Sequence, residues 1–299
     1  MKVKYIIFII LFTGCNHFAI CQPPMTIPLN PGDSLRNEGD IKGAIQQYGK
    51  LYHLNPCDLH NLYNYTCALS QLGLNDSCYK YLYKYIEMDT STTILIEPDF
   101  LTIRNDQRWN EFENKLISMI NIKFNNPYKN IQYAKALWKL SALDQAYFNE
   151  IGIAGRKVGM NSSVQRALWK FKYMINKENQ KELSDLIGKN GWPKISEVGT
   201  EAAEAAFLII QHSDLDMQKR YIYILKEQCE QKEANWLHYA LLYDRIQTAE
   251  NKPQKYGTQS RYNENTNNLE LFPLEDETKV NEWRNEVGLE PLAGYPQKN

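Results

Sequence analysis

The stretch GDIKGAIQQYGKLYHLNP, residues 39–56, decides the class of the fold. Gly39 and Asp40 read as a turn, and Ala44 is the small residue where two helices approach closely. Tyr48, Leu51 and Leu54 continue one apolar face at helical spacing. Pro56 ends the unit, because proline neither donates a backbone hydrogen bond nor fits inside a helix. The next segment, LHNLYNYTCALSQLGLNDSCYKYLYKYIEMD (59–89), keeps the same register. Leu62, Tyr65 and Leu69 lie on its first helix and Gly73 turns the chain. Cys78 takes the small position, and Leu82 and Tyr85 follow. The chain therefore reads as mainly α, built from helical hairpins.

Gly39 and Gly73 are 34 residues apart, and the two segments resemble tetratricopeptide repeats, whose period that is. Pro28 and Pro31 confine the first helix of the first unit to about Ser34–Glu38, so the repeats number about one and a half. An independent stack needs about three. EPDFLTIRNDQRWNEFENKLISMI (97–120) supplies a closing element: a turn, then a helix from about Asp106 with Trp109, Phe112, Leu116 and Met119 or Ile120 on one face. The resemblance implies a groove on residues 34–120 for a protein or peptide partner. The same helices serve equally well as a brace for the domain that follows. Residues 121–130, with FNNPYKNIQ (124–132) polar and aperiodic around Pro127, read as a linker with a boundary near 128.

The first 21 residues read as an export signal: MKVK is the positive start and YIIFIILF an apolar run too short to span a bilayer. FTGC (12–15) resembles a lipobox that would make Cys15 a lipid anchor, and cleavage before Gln22 is the alternative. The expected location is the cell envelope, periplasmic or lipid-anchored, or the medium. Cys57, Cys67, Cys78 and Cys229 then sit where disulfides are permitted, and Cys67 can bridge to Cys78 or stay a buried thiol. No Cys/His spacing suits zinc. The net charge is −1, with Lys and Arg scattered, so neither nucleic acid nor an anionic membrane has a footprint; the only membrane contact expected is through Cys15. No cofactor or metal is expected.

Residues 131–299 read as a separate helical domain. Helices are expected over about 131–151, 164–177 and on to Lys189, with GIAGRKVGMNSS (152–163) as a mobile loop. GWP (191–193) stops a helix, and further helices cover the run to Ser213, then 217–233 and 234–251. KPQKYGTQSRY (252–262) and LELFPL (269–274) read as a short β-hairpin, and Asp276 caps a last helix.

The runs GWPKISEVGTEAAEAAFLIIQHSD, YALLYDRI, KPQKYGTQ and LFPLEDETKVNEWRNEVGLEPL, in that order, resemble a bacterial family known as domain of unknown function 6624. It implies a mainly helical domain and supplies no established activity to carry over. Its motif residues fall on Asp144, Gln145, Gly191, Trp192, Pro193, Gly199, Gln211, His212, Asp244, Arg245, Gln254, Tyr256, Gly257, Thr258 and Gln259. Family members often carry an arginine soon after the Asp-Gln pair, where this chain has Tyr147 and Phe148.

His212 shares a helix face with Ala205, Leu208 and Ile209, and Asp244 shares one with Leu237, Ala240 and Leu241, so both point inward. Buried, each needs a partner, and an Asp244–His212 hydrogen bond closes the account, with Gln211 or Gln259 satisfying the rest. Such a pair is more often a bolt between helices than a catalyst. The alternative is a hydrolase-like site: His212 as general base oriented by Asp244, Arg245 as an anion clamp, and Trp192, Gln211, Gln254, Tyr256, Thr258 and Gln259 lining a ligand site. Asp214 reads as a helix cap ahead of Asp216 rather than a cation ligand.

Overall fold

The computed structural model describes residues 30–263 and 268–294; the export segment, Cys15 and the cut before Gln22 lie outside the described residues. The fold is mainly α, with one two-stranded sheet among the described residues. The described chain divides into two compact units, 30–213 and 214–294.

The first unit begins with α1 (Pro31–Asn37), α2 (Ile41–Leu54), α3 (Leu59–Gln71) and α4 (Asn75–Met88), each packed on the next. Their starts follow local chemistry. Asn30, Asp40 and Asp58 accept backbone N–H bonds as N-caps, which satisfies donors that the first turn leaves free. Gly39 and Gly73 sit at φ 81° and 67°, the left-handed turns that follow α1 and α3. Ala44, Tyr48, Leu62, Leu69, Cys78, Leu82 and Tyr85 are buried, as their helical spacing predicts, and Tyr65 is half-buried. Leu54 departs from it: at the end of α2 it is 82 % exposed, because the chain leaves the helix there before the next element can cover it. Cys67 and Cys78 are buried free thiols, and Cys57 is exposed.

A one-turn helix, α5 (Thr93–Ile96), and two 3₁₀ turns (Pro98–Leu101 and Ile103–Asn105) lead to α6 (Arg108–Phe124). Trp109, Phe112, Leu116 and Ile120 of α6 are buried. Residues 121–130 are not a structureless linker. Asn125 and Asn126 take left-handed φ to end α6, and the N–H groups of Lys129 and Asn130 both donate to the Glu197 carbonyl. The helices before and after this segment share one compact unit, since α7 (Ile131–Gln145) packs on α5 and on the Pro98–Leu101 turn. Lys135 of α7 also pairs with Glu113 of α6 at 2.9 Å.

Two expectations change beyond α7. The helix does not run to 151: Ala146 is extended, Tyr147 takes φ 70°, and α8 (Phe148–Val158) starts afresh. Most of GIAGRKVGMNSS is thus helix. The expected break near 177 is also missing, and α9 (Ser163–Asn190) runs 28 residues. Nothing between Ser163 and Ile187 is Gly or Pro, Ser162 caps the start, and Gly191 at φ 79° stops the end. After α10 (Ile195–Val198), Gly199 turns the chain at φ 81° into α11 (Thr200–Gln211), which is buried nearly all round. α11 packs on both α7 and α9.

The second unit holds α12 (Leu215–Glu230), α13 (Trp236–Ala249), the antiparallel strands β1 (Ser260–Asn263) and β2 (Asn268–Leu271), and α14 (Val280–Glu286). Its core gathers Ala240, Tyr256 and Val287 with Trp236, Tyr239, Tyr243, Trp283 and Leu289. Asp214 caps α12 by accepting from the Met217 N–H at 3.0 Å. Asp276 caps a turn one step before α14, accepting from the Thr278 N–H and hydroxyl.

Candidate functional site

The expected Asp244–His212 bond is replaced by two arrangements, each within its own unit. Asp244 sits on the buried face of α13 with no exposed surface. One carboxylate oxygen accepts from the Lys255 and Tyr256 N–H groups at 2.8 and 3.0 Å. The other accepts from the Tyr256 and Thr258 N–H groups and the Thr258 hydroxyl at 3.1, 3.0 and 2.9 Å. Burial pushes this carboxyl up, and the ring of donors pulls against it. Asp244 is therefore the template on which the YGTQ loop (256–259) is wound.

The other loop residues serve the same end. Gln254, fully buried, donates to the Gln259 and Phe272 carbonyls at 2.9 Å each and accepts from the Gln259 N–H at 2.8 Å. Gln259 donates to the Leu241 carbonyl and the Thr258 hydroxyl. Tyr256 is buried against α13, and its carbonyl accepts from Arg284 at 2.6 Å. These side chains are bound to the protein's own backbone, which is how a loop is held rigid. Arg245, expected as a clamp, has its Nε buried with no hydrogen-bond partner among the described residues, and burial lowers its pKa. Trp192 is buried beside Gly191, whose carbonyl accepts from the Tyr133 hydroxyl at 2.9 Å.

His212 lies at the C-cap of α11 and meets the end of α7. Its Nδ1 stands 2.9 and 3.0 Å from the two oxygens of Asp144. Asp144 is buried, at 1 % side-chain exposure, while the His212 side chain keeps 11 %. Gln145 donates to the same carboxylate at 2.8 Å, and Gln180 of α9 donates to the His212 carbonyl at 3.4 Å. A carboxylate accepts only, so Nδ1 carries the proton towards it and the Nε2 lone pair points away. Within the first unit, Gln211 adjoins His212 and Asp144–Gln145 lies opposite.

A third charged group completes this corner. Lys172 of α9 is buried, and its ammonium donates to the Leu143 carbonyl at 3.0 Å and to the Asp144 carbonyl. Those carbonyls are left without helical partners when the chain turns at Ala146, and a cation at a helix C-terminus is favoured by its dipole. Burial still lowers the Lys172 pKa to about 8, with the nearby Asp144 pulling the other way. The ammonium lies 4.8 Å from the Phe148 ring centre.

Asp144, named among the motif residues but not paired with His212, was within reach of the reasoning applied to Asp244. Asp144 follows Leu137 and Leu140 by seven and four residues, so it too faces inward. Lys172 had no comparable signal, because its neighbours in sequence are apolar residues that turn out to be exposed.

Cys67, Glu97 and Asp99 also cluster closely enough to hold a cation. Asp99 pairs with Arg36 and accepts from Gln71, and Glu97 accepts from the Tyr63 hydroxyl and the Asp99 N–H. The group already has its own cation, and it locks α1 and α3 to the turn at 97–99.

Among known families, a model described as a family of unknown function (DUF6624) matches residues 132–298, more than half of the chain. No curated protein and no solved structure matches.

Proposed function

The chain belongs to that family of unknown function, and from its geometry we propose a hydrolase-like role in the cell envelope with His212 as general base and Asp144, rather than Asp244, as the group that orients it. The observation that carries the proposal is the pair itself: a buried carboxylate on Nδ1 of a histidine whose side chain keeps 11 % exposure. That arrangement fixes the tautomer whose Nε2 can take a proton from water or from a substrate hydroxyl. Asp144 stabilises the imidazolium formed in that step, and Lys172 fixes the backbone on which Asp144 stands. The buried Asp244 network supports the second unit and takes no part in the proton transfer.

Export, with Cys15 as a lipid anchor or cleavage before Gln22, remains our proposal for where this chemistry takes place. A second reading, peptide binding by the tetratricopeptide-like helices α1–α4, draws on one observation. Tyr52, Tyr65 and Tyr81 gather on the surface with centroids 4.7–6.4 Å apart, and Lys84 donates to the Tyr52 hydroxyl at 2.9 Å. Aromatic hydroxyls beside an ammonium suit a peptide carboxylate.

The test of the first reading is a panel of ester, phosphoester, amide and glycoside substrates, read with the chain from Gln22 on. His212→Gln and Asp144→Asn should abolish a turnover that Tyr52→Ala leaves intact. Turnover retained by both site variants, or absent across the panel from the wild-type chain, would sink it.

A further inference from the structure

α9 is built inside out. Its inward positions at seven-residue spacing are Gln165, Lys172 and Asn179, all buried, with Gln180 beside them. These polar groups bond backbone carbonyls of α7 and α8: Gln165 donates to the Ile151 carbonyl, Lys172 to Leu143 and Asp144 at the end of α7, and Asn179 to Leu140. Leu183 is buried farther along, but in the first half of the helix the large apolar side chains lie outside this row, Trp169 and Phe171 edging against Phe148 and Tyr147 at ring-centre distances of 6.1 and 5.2 Å. Trp169, Phe171, Tyr173 and Met174 are 44, 46, 62 and 57 % exposed. Helices of soluble proteins ordinarily bury such a set, and a cluster of this kind on the outside marks a contact surface.

The charge around it indicates what makes the contact. From Arg156 to Met174 the sequence holds no Asp or Glu, although the whole chain carries −1. Arg166 and Lys170, one helical turn apart and both exposed, lie between the Trp169–Tyr173 flank and the Phe171–Met174 flank. A second copy docking by two-fold symmetry would set this basic ridge against itself, and like charges across an interface are costly. An anionic lipid surface complements it: the basic side chains meet headgroups, and Trp, Tyr, Phe and Met enter the boundary beneath them.

We propose that the outer face of the first half of α9, residues 163–174, is a membrane-interface surface for anionic lipid, independent of any acyl anchor at Cys15; beyond it the helix exposes Glu178, Glu182 and Asp185. The scattered Lys and Arg of the whole sequence conceal this local footprint, which only the helix geometry reveals. The proposal stands whether or not His212 is a base.

The test uses the chain from Gln22 on, which keeps every described residue and lacks the export segment. It is sedimented with vesicles of phosphatidylethanolamine alone and with added phosphatidylglycerol. Binding is expected to the anionic vesicles only and to weaken as salt is raised. Arg166→Glu/Lys170→Glu should reduce it on the order of tenfold or more, and Tyr173→Ser/Met174→Ser should reduce it without removing the salt dependence. All four side chains are exposed, and circular dichroism checks that both variants fold. Three results would overturn the proposal: no preference for anionic vesicles, sedimentation of both variants like the parent chain, or loss of self-association or RNA binding in place of vesicle binding.

Discussion

Asp244→Ala tests the reading of the second unit most severely. The carboxylate accepts from three backbone N–H groups and one hydroxyl in a fully buried position. Alanine removes every acceptor. The Thr258 hydroxyl can rotate to another partner, and the Lys255 and Thr258 amides, half-buried, recover water in part. The Tyr256 amide is buried and cannot. At ~1–3 kcal/mol for each unsatisfied buried donor, the loss comes to about 3–5 kcal/mol. Set against the ~5–15 kcal/mol that stabilises an ordinary protein, this is enough to unwind the loop or unfold the unit. Asp244→Asn keeps one acceptor but turns an amide donor towards other donors, so its cost should fall between the parent and the alanine variant. Hydrogen exchange read at residues 254–259 separates this from a general loss of stability. In the parent chain the Tyr256 and Thr258 amides should be protected, and in Asp244→Ala they should exchange first, while α7, α9 and α11 keep their protection. A loss below about 1 kcal/mol, with these amides still protected, would refute the role given to Asp244.

Other outcomes follow from the same structure. Burial lowers the His238 pKa to about 4 from an ordinary 6.5. Between those values the unfolded chain binds the extra proton, so stability should rise with pH from about 4 to 6.5, by at most ~3 kcal/mol. His238→Gln should flatten that branch in a pH series of urea melts. Gly199 stands at φ 81°, and a Cβ there would lie 2.6 Å from the Tyr128 ring. Gly199→Ala should therefore cost roughly 2 kcal/mol or more in thermal unfolding. Because Cys67 and Cys78 are buried thiols, with burial raising both, neither should react with a thiol reagent until the chain unfolds, whereas the exposed Cys57 should react at once.

The helical class was legible because it depends on local pattern. The turns at Gly39–Asp40, Gly73 and Gly191, the cap at Asp214, and the buried faces of α2, α3, α4 and α6 fall where apolar period and turn chemistry put them. Leu54 and α9 escaped that logic for a shared reason. Period reveals which residues share a face, and only the packed structure tells whether the apolar face is inside. The polar cluster was half legible. That His212 and Asp244 point inward follows from helix phase, but phase cannot choose a partner among distant carboxylates. Asp144 and Asp244 both satisfied the argument, and the packing of α11 on α7 is what brings the histidine to Asp144. The loop residues 254–259 illustrate a related ambiguity. Gln, Tyr and Thr side chains read equally well as ligand donors or as backbone clamps, until their partners prove to be main-chain groups.

The most direct measurement of the central claim is the tautomer of His212 by ¹⁵N-detected NMR on neutral imidazole. With Asp144 accepting from Nδ1, His212 should be the Nδ1–H form with Nε2 unprotonated, and Asp144→Asn should shift that balance while His53, His60 and His238 keep theirs. An Nε2–H tautomer in the parent chain, or a His212 signal indifferent to Asp144→Asn, would contradict the account.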